Sequence, residues 1–152
     1  MPKFRHGEAE DWRDIITLYL IYCFDRINLR EIEVAPLHVV LQSVMNHIRR
    51  ECDLTESDID MYIGFVYDAG KQRFPAFETS LQKLLEDLVI EQDNDGVRDL
   101  IRIIGRGLNT AERNLRKRYP NLADADKSFF LMVCGRAVNN YKTLVNVPNR
   151  DD

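Results

Sequence analysis

The sequence predicts an all-α fold, a compact single-domain bundle of about five to seven helices, and three observations carry that expectation. Proline and glycine are scarce, five and seven in 152 residues, and cluster at plausible breaks. The segments between them are rich in Leu, Ile, Glu, Arg and Lys, which enter helices at little cost. Apolar residues recur along these segments at three- and four-residue spacing, the period of a helix with one buried face. A chain of this length buries roughly 68–70% of its unfolded surface without any covalent staple. The expected domain is therefore 1–152, with loose termini at about 1–7 and 146–152. There is no internal repeat, low-complexity stretch or linker.

The first helix is expected over Glu8–Ile27, with Glu8, Glu10 and Asp11 at the end where the helix dipole favours acids. Its run from Ile15 to Phe24, broken only by Thr17, is apolar all round and marks a central buried element. The same β-branched and aromatic residues would suit a buried strand, and the helical flanks decide against it. A second helix starts near Pro36 and turns Leu37, Leu41, Val44, Met45 and Ile48 inward. A third starts at Thr55, capped with Asp58, and carries Ile59, Tyr62, Ile63 and Val66. After a loop containing Gly70 and Pro75, a fourth spans Glu78–Glu91 with Leu81, Leu84, Leu85 and Leu88 inward. A fifth segment, Val97–Tyr119, is stopped by Pro120. The last, Asp124–Val145, is amphipathic through Phe129, Met132, Val133, Val138, Tyr141 and Leu144.

Charge is unevenly placed along this bundle. Residues 1–97 carry 10 Lys/Arg against 19 Asp/Glu, and residues 98–152 carry 11 against 6. Such asymmetry points to an anionic partner or to charge-steered association. The cations concentrate in the fifth segment. On a wheel of about 100° per residue, Arg98, Arg102, Arg106, Arg113, Arg116 and Lys117 fall within roughly a quarter of the circumference. They extend along about 30 Å of helix. Val97, Leu100, Ile101, Ile104, Leu108, Ala111 and Leu115 take the opposite side. These six cations are the candidate site for an anionic partner, arginine offering paired donors to carboxylate or phosphate. Gly105 and Gly107 weaken the middle of that helix, and Asn109 to Glu112 reads as a fresh cap, so a break there would leave two shorter patches.

Other chemistry finds little support. Glu91, Asp93, Asp95 and Gly96 imitate the opening of a calcium loop, but the closing position, where a bidentate glutamate belongs, holds Arg102. His38 and His47 stand nine residues apart on opposite sides of one expected helix and cannot share a ligand. With His6 in the tail, each histidine is expected to be a surface or partly buried residue rather than an acid–base group. Nucleophile elbows, phosphate loops and zinc-protease motifs are missing, so neither a cofactor nor a metal is expected. Cys23, Cys52 and Cys134 are odd in number and lack metal spacing, which favours reduced thiols and a cytoplasmic location. The ten-residue apolar run is too short for a bilayer, which needs about 20, and nothing at the N-terminus resembles a secretory signal. No membrane partner or small-molecule substrate is evident.

The expected function is a non-catalytic interaction protein, a small subunit, adaptor or inhibitor binding a protein partner through charged surfaces, with self-association between the two charged halves as one form of it. The alternative is a helical protein that binds RNA or DNA backbone through the basic stripe without reading bases. The acidic first half favours the protein partner, because it repels a polyanion.

Overall fold

In a computed structural model, described for residues 2–94, 99–119 and 122–144, six helices pack with a small three-stranded antiparallel sheet. The chain is mostly helical, and the sheet corrects the all-α expectation.

Helix α1 (Ala9–Arg26) is the central element, with every residue from Ile15 to Ile21 buried. Thr17 interrupts the apolar run at little cost, because its hydroxyl donates to the Arg13 carbonyl one turn back at 2.7 Å. Strand β1 (Glu31–Glu33) runs directly into α2 (Val34–Glu51). Pro36 lies in the first turn of α2, where a missing N–H leaves no intrahelical bond unmade. Leu37, Leu41, Val44, Met45 and Ile48 are buried as their spacing predicts.

Helix α3 (Glu56–Tyr62) opens on the expected cap: the Asp58 amide donates to Thr55 Oγ1 at 3.1 Å, and the Thr55 amide to Asp58 Oδ2 at 2.9 Å. Gly64, at φ +78°, ends it, which leaves Val66 beyond the helix and 53% exposed rather than inward. Helix α4 (Pro75–Glu86) begins three residues earlier than expected because Pro75 takes its first position.

The largest departure lies in residues 90–118. Here β2 (Ile90–Asn94) and β3 (Asp99–Ile103) precede a shorter helix, α5 (Gly105–Arg118). Strand β3 is the middle strand, antiparallel to both neighbours. Register places Ile32 opposite Ile101 and Ile90 opposite Ile103, and these four side chains are buried on one face of the sheet. The β-branched residues of β3 satisfy their backbone across strands; the Ile103 amide donates to the Arg30 carbonyl and the Ile104 amide to the Val89 carbonyl, both at 2.8 Å. Gly105 and Gly107 therefore stand at the start of a helix, not in its middle. A Cβ at Gly107 would lie 2.3 Å from the Leu88 carbonyl oxygen and 2.8 Å from Val89 Cα, so this glycine lets α5 rest on the chain that leads into β2.

Helices α1, α2 and α4 end alike. In each, an amide reaches back five residues, Leu29 to Phe24, Leu54 to Arg49 and Val89 to Leu84, at 2.9–3.0 Å. The residue before each is left-handed: Asn28 at φ 60°, Asp53 at 53° and Leu88 at 60°. Asn and Asp accept that conformation readily and leucine does not.

Helix α6 (Asp124–Leu144) packs along α1 and α2, burying Phe129, Phe130, Val133, Cys134, Ala137 and Val138. Met132, expected inward, is 36% exposed, and the Leu144 side chain lies outside the described residues. Phe130 meets Trp12 at 5.7 Å and Tyr19 at 6.5 Å between ring centroids. Phe4 packs edge-on against Trp12 at 5.0 Å and so ties the segment ahead of α1 to this core. The tail expected to be loose at about 146–152 lies outside the described residues.

Candidate functional site

The six cations expected on one helix are divided between two elements. Arg98 lies outside the described residues. Arg102 stands on β3, on the outer face of the sheet, directly across from Glu31 on one side and Glu91 on the other. Its guanidinium is 3.4 Å from Glu31, 3.3 Å from Glu91 and 4.0 Å from Asp93. Hydrogen bonds to Glu91 and Glu31 hold its pKa above the ordinary arginine value. Arg102 is committed to the three acids of the two strands that flank it. The expected stripe is corrected accordingly: β geometry takes Arg102 out of the helical phase.

The remaining cations belong to α5. Counting about 100° per residue, Arg113 and Lys117 fall within ~20° of Arg106, and all three are exposed. The buried Leu108, Ala111 and Leu115 lie on the other side of the helix. Among the described residues none of these three cations forms an ion pair, whereas Arg30, Arg73, Lys83, Arg118, Lys127 and Arg136 all do. The row is about 16 Å long. Arg116 flanks it and leans on Glu112 at 3.7 Å, a carboxylate also held by Lys127.

Arg106 occupies the second position of α5, a first turn that contains no acid. A cation there opposes the positive end of the helix dipole, at a cost of about 0.3–1 kcal/mol. Beside that turn stands Leu88, whose backbone contacts Gly107. Leu88 was expected inward; it is 70% exposed, the most exposed large apolar side chain among the described residues. It is also left-handed, which costs a leucine roughly 1–2 kcal/mol. Two neighbouring residues thus oppose the local rules of folding next to an unpaired row of cations, the pattern expected of a surface kept for something other than stability.

A second polar cluster joins α1, α4 and α5. Asp14, with 11% of its side chain exposed, accepts from Ser80 Oγ at 3.2 Å and pairs with Lys83 at 2.9 Å and Arg118 at 3.4 Å. Tyr119 Oη donates to Asp11 at 2.9 Å and accepts from Arg118 at 3.0 Å. Sequence reasoning missed this cluster, because its partners lie 66 to 108 residues apart. Ser80 and Lys83, one turn apart, resemble a nucleophile and base only in spacing. Burial draws the Lys83 pKa down, but hydrogen bonds to Glu10 and Asp14 outweigh it and keep the ammonium charged. A protonated lysine cannot take the Ser80 proton, and Ser80 itself is 4% exposed. The cluster ties helices together.

Among the described residues, no group of three or more His, Cys, Asp or Glu side chains is placed to hold a metal ion. Glu91 and Asp93 face Arg102, while Asp95 and Gly96 of the calcium-like stretch lie outside the described residues. His38 is buried at 3% exposure, deeper than the surface or partly buried position expected of it. None of Cys23, Cys52 and Cys134 is joined in a disulfide among the described residues. Burial pushes the Cys23 thiol up to about 11 and raises Cys134 and Cys52 as well, so none is poised as a thiolate. No described helix is long and apolar enough to cross a membrane. No protein-family model, curated protein or solved structure matches the chain.

Proposed function

We propose that this is a non-catalytic interaction protein that binds an acidic surface of a protein partner through the outer face of α5. The observation that carries the reading is the row Arg106, Arg113 and Lys117, aligned opposite the buried side of the helix and without an acidic partner among the described residues. Arg116 borders the row and contributes a fourth donor group. Leu88 supports a protein partner over a nucleic acid: a phosphate backbone has no use for an exposed leucine, whereas a protein interface needs an apolar anchor within its charged rim. The acids Glu31, Glu91 and Asp93, on the sheet whose middle strand leads into α5, support the same choice, since they repel a polyanion. The setting we propose is cytoplasmic, supported by three cysteines that form no disulfide among the described residues.

The test is selection from a displayed library of random peptides, followed by titration of the winners. Wild-type protein should enrich peptides that combine Asp or Glu with at least one large apolar residue. The R106E/R113E/K117E variant, folded normally, should lose them. A nucleic-acid binder behaves differently. Its affinity for mixed-sequence duplex DNA would fall with salt at a log–log slope of about −2.7 for three neutralised phosphates, and removing Leu88 would change nothing. That outcome, with no acidic peptides enriched, would replace the protein reading with the nucleic-acid one.

A further inference from the structure

His38 on α2 is almost fully enclosed, with 3% of its surface exposed. Its ring lies parallel to Phe74 at 6.2 Å and edge-on to Phe77 at 5.3 Å. Its Nδ1 accepts the backbone N–H of Phe74 at 2.9 Å. Phe74 is the residue that caps α4 at its N-terminal end, just after a tight turn closed by reciprocal backbone bonds between Asp68 and Arg73. The bond to Phe74 decides the tautomer: the neutral ring carries its hydrogen on Nε2. Among the described residues Nε2 has no hydrogen-bond partner; it faces Glu78 Oε1 at 3.6 Å, while that same oxygen takes Arg73 Nη1 at 2.9 Å.

A proton added to this ring has one place to go, which is Nδ1. The imidazolium then presents N–H to the N–H of Phe74, two donors face each other, and the bond cannot persist. We infer that His38 is an acid-operated latch on the junction between the 68–73 turn and α4. In its neutral form it holds the Phe74 amide; protonated, it releases that amide and its Nε2–H turns to Glu78, in competition with Arg73. Phe74 also contacts Tyr67 at 5.2 Å and Phe65 at 6.4 Å, so release loosens one wall of the groove between α2 and α3 that these rings line with Met45 and Ile59.

The charged groups around the ring set the direction. Burial, the largest effect, holds the His38 pKa below the ordinary histidine value; Glu78 from α4 opposes this and Arg73 from the turn adds to it. Glu33 from β1, Asp99 from β3 and Lys71 from the same turn as Arg73 border the same cleft, two acids and a cation. For a histidine whose folded pKa is depressed, the stabilisation is complete above the ordinary histidine range. It is lost as pH falls through the folded-state value.

The test is an NMR titration of isotope-labelled protein from about pH 8 down to about pH 5. The His38 ring and the Phe74 amide should shift with a common midpoint, and Phe74 should lose about tenfold or more of its exchange protection, corrected for intrinsic rates, over the same range. In Glu78→Gln, which removes the carboxylate facing Nε2, both changes should move together to lower pH. In His38→Asn, whose side-chain oxygen can accept from Phe74 without titrating, Phe74 protection should stay constant. The latch is refuted if His38 titrates while Phe74 protection holds, or if Phe74 opens at the same pH in wild type and E78Q. The E78Q comparison decides the matter even where H38N fails to fold.

Discussion

Two groups of charge, centred on β3 and on α5 with one residue between these elements, are built in opposite ways. On the sheet, Arg102 is surrounded by Glu31, Glu91 and Asp93, brought to it by the strand register. On α5, Arg106, Arg113 and Lys117 point outward, and among the described residues none of them forms an ion pair. Arg102 and Arg113 are both exposed arginines in a basic stretch of chain, and nothing in their identity separates them. What separates them is which residues the fold places opposite: cross-strand neighbours for one, solvent for the other. A cation already surrounded by acids serves the fold, and one left without them is available to a partner.

Substitutions can break or sharpen this contrast. The largest effect is expected at the seam between the two regions. Gly107→Val puts a side chain into the Leu88 carbonyl and Val89 Cα, and should lower stability by roughly 1–3 kcal/mol or more, measured by urea unfolding. Next, Arg102→Glu sets a fourth acid among three. It should lower the melting temperature clearly, and more than Arg113→Glu does. If both variants melt alike, the contrast fails. Leu88→Gly removes the left-handed leucine and should raise stability by about 1 kcal/mol, while weakening peptide binding. Arg106→Glu replaces a cation with an anion at the positive end of α5 and should stabilise by about 0.3–1 kcal/mol, again with loss of binding. Arg113→Glu should change stability least, within about 0.5 kcal/mol.

Much of the helical frame was legible because helical period and burial agree. Leu37, Leu41, Val44, Met45 and Ile48 are buried, and Thr55 with Asp58 forms the expected capping box. The sheet was not read, although its signals were present. Asp95-Gly96 is a hairpin-turn dipeptide, and Leu100 to Ile104 is rich in β-branched residues, while Glu31-Ile32-Glu33 alternates. The arginines at 98, 102 and 106 are four apart, which suits a helix and also keeps alternate residues of a strand on one face. That coincidence let the helical phase run across a strand. The α5 half of the candidate row was legible because it obeys one period throughout. Leu88 was not, because its spacing from Leu81, Leu84 and Leu85 is helical and only the left-handed end of α4 turns it outward. The Asp14 cluster and the His38–Phe74 bond join distant segments, and no local pattern announces them.

On the function proposed above, α5 with Leu88 binds a partner while Arg102 does not. The most direct measurement is calorimetric titration of one selected acidic peptide into wild type, L88G/R106E and Arg102→Gln. The expected result is binding lost in L88G/R106E, despite a fold at least as stable as wild type, and kept in R102Q below its melting temperature. Binding retained by L88G/R106E, or lost in folded R102Q, would contradict the account.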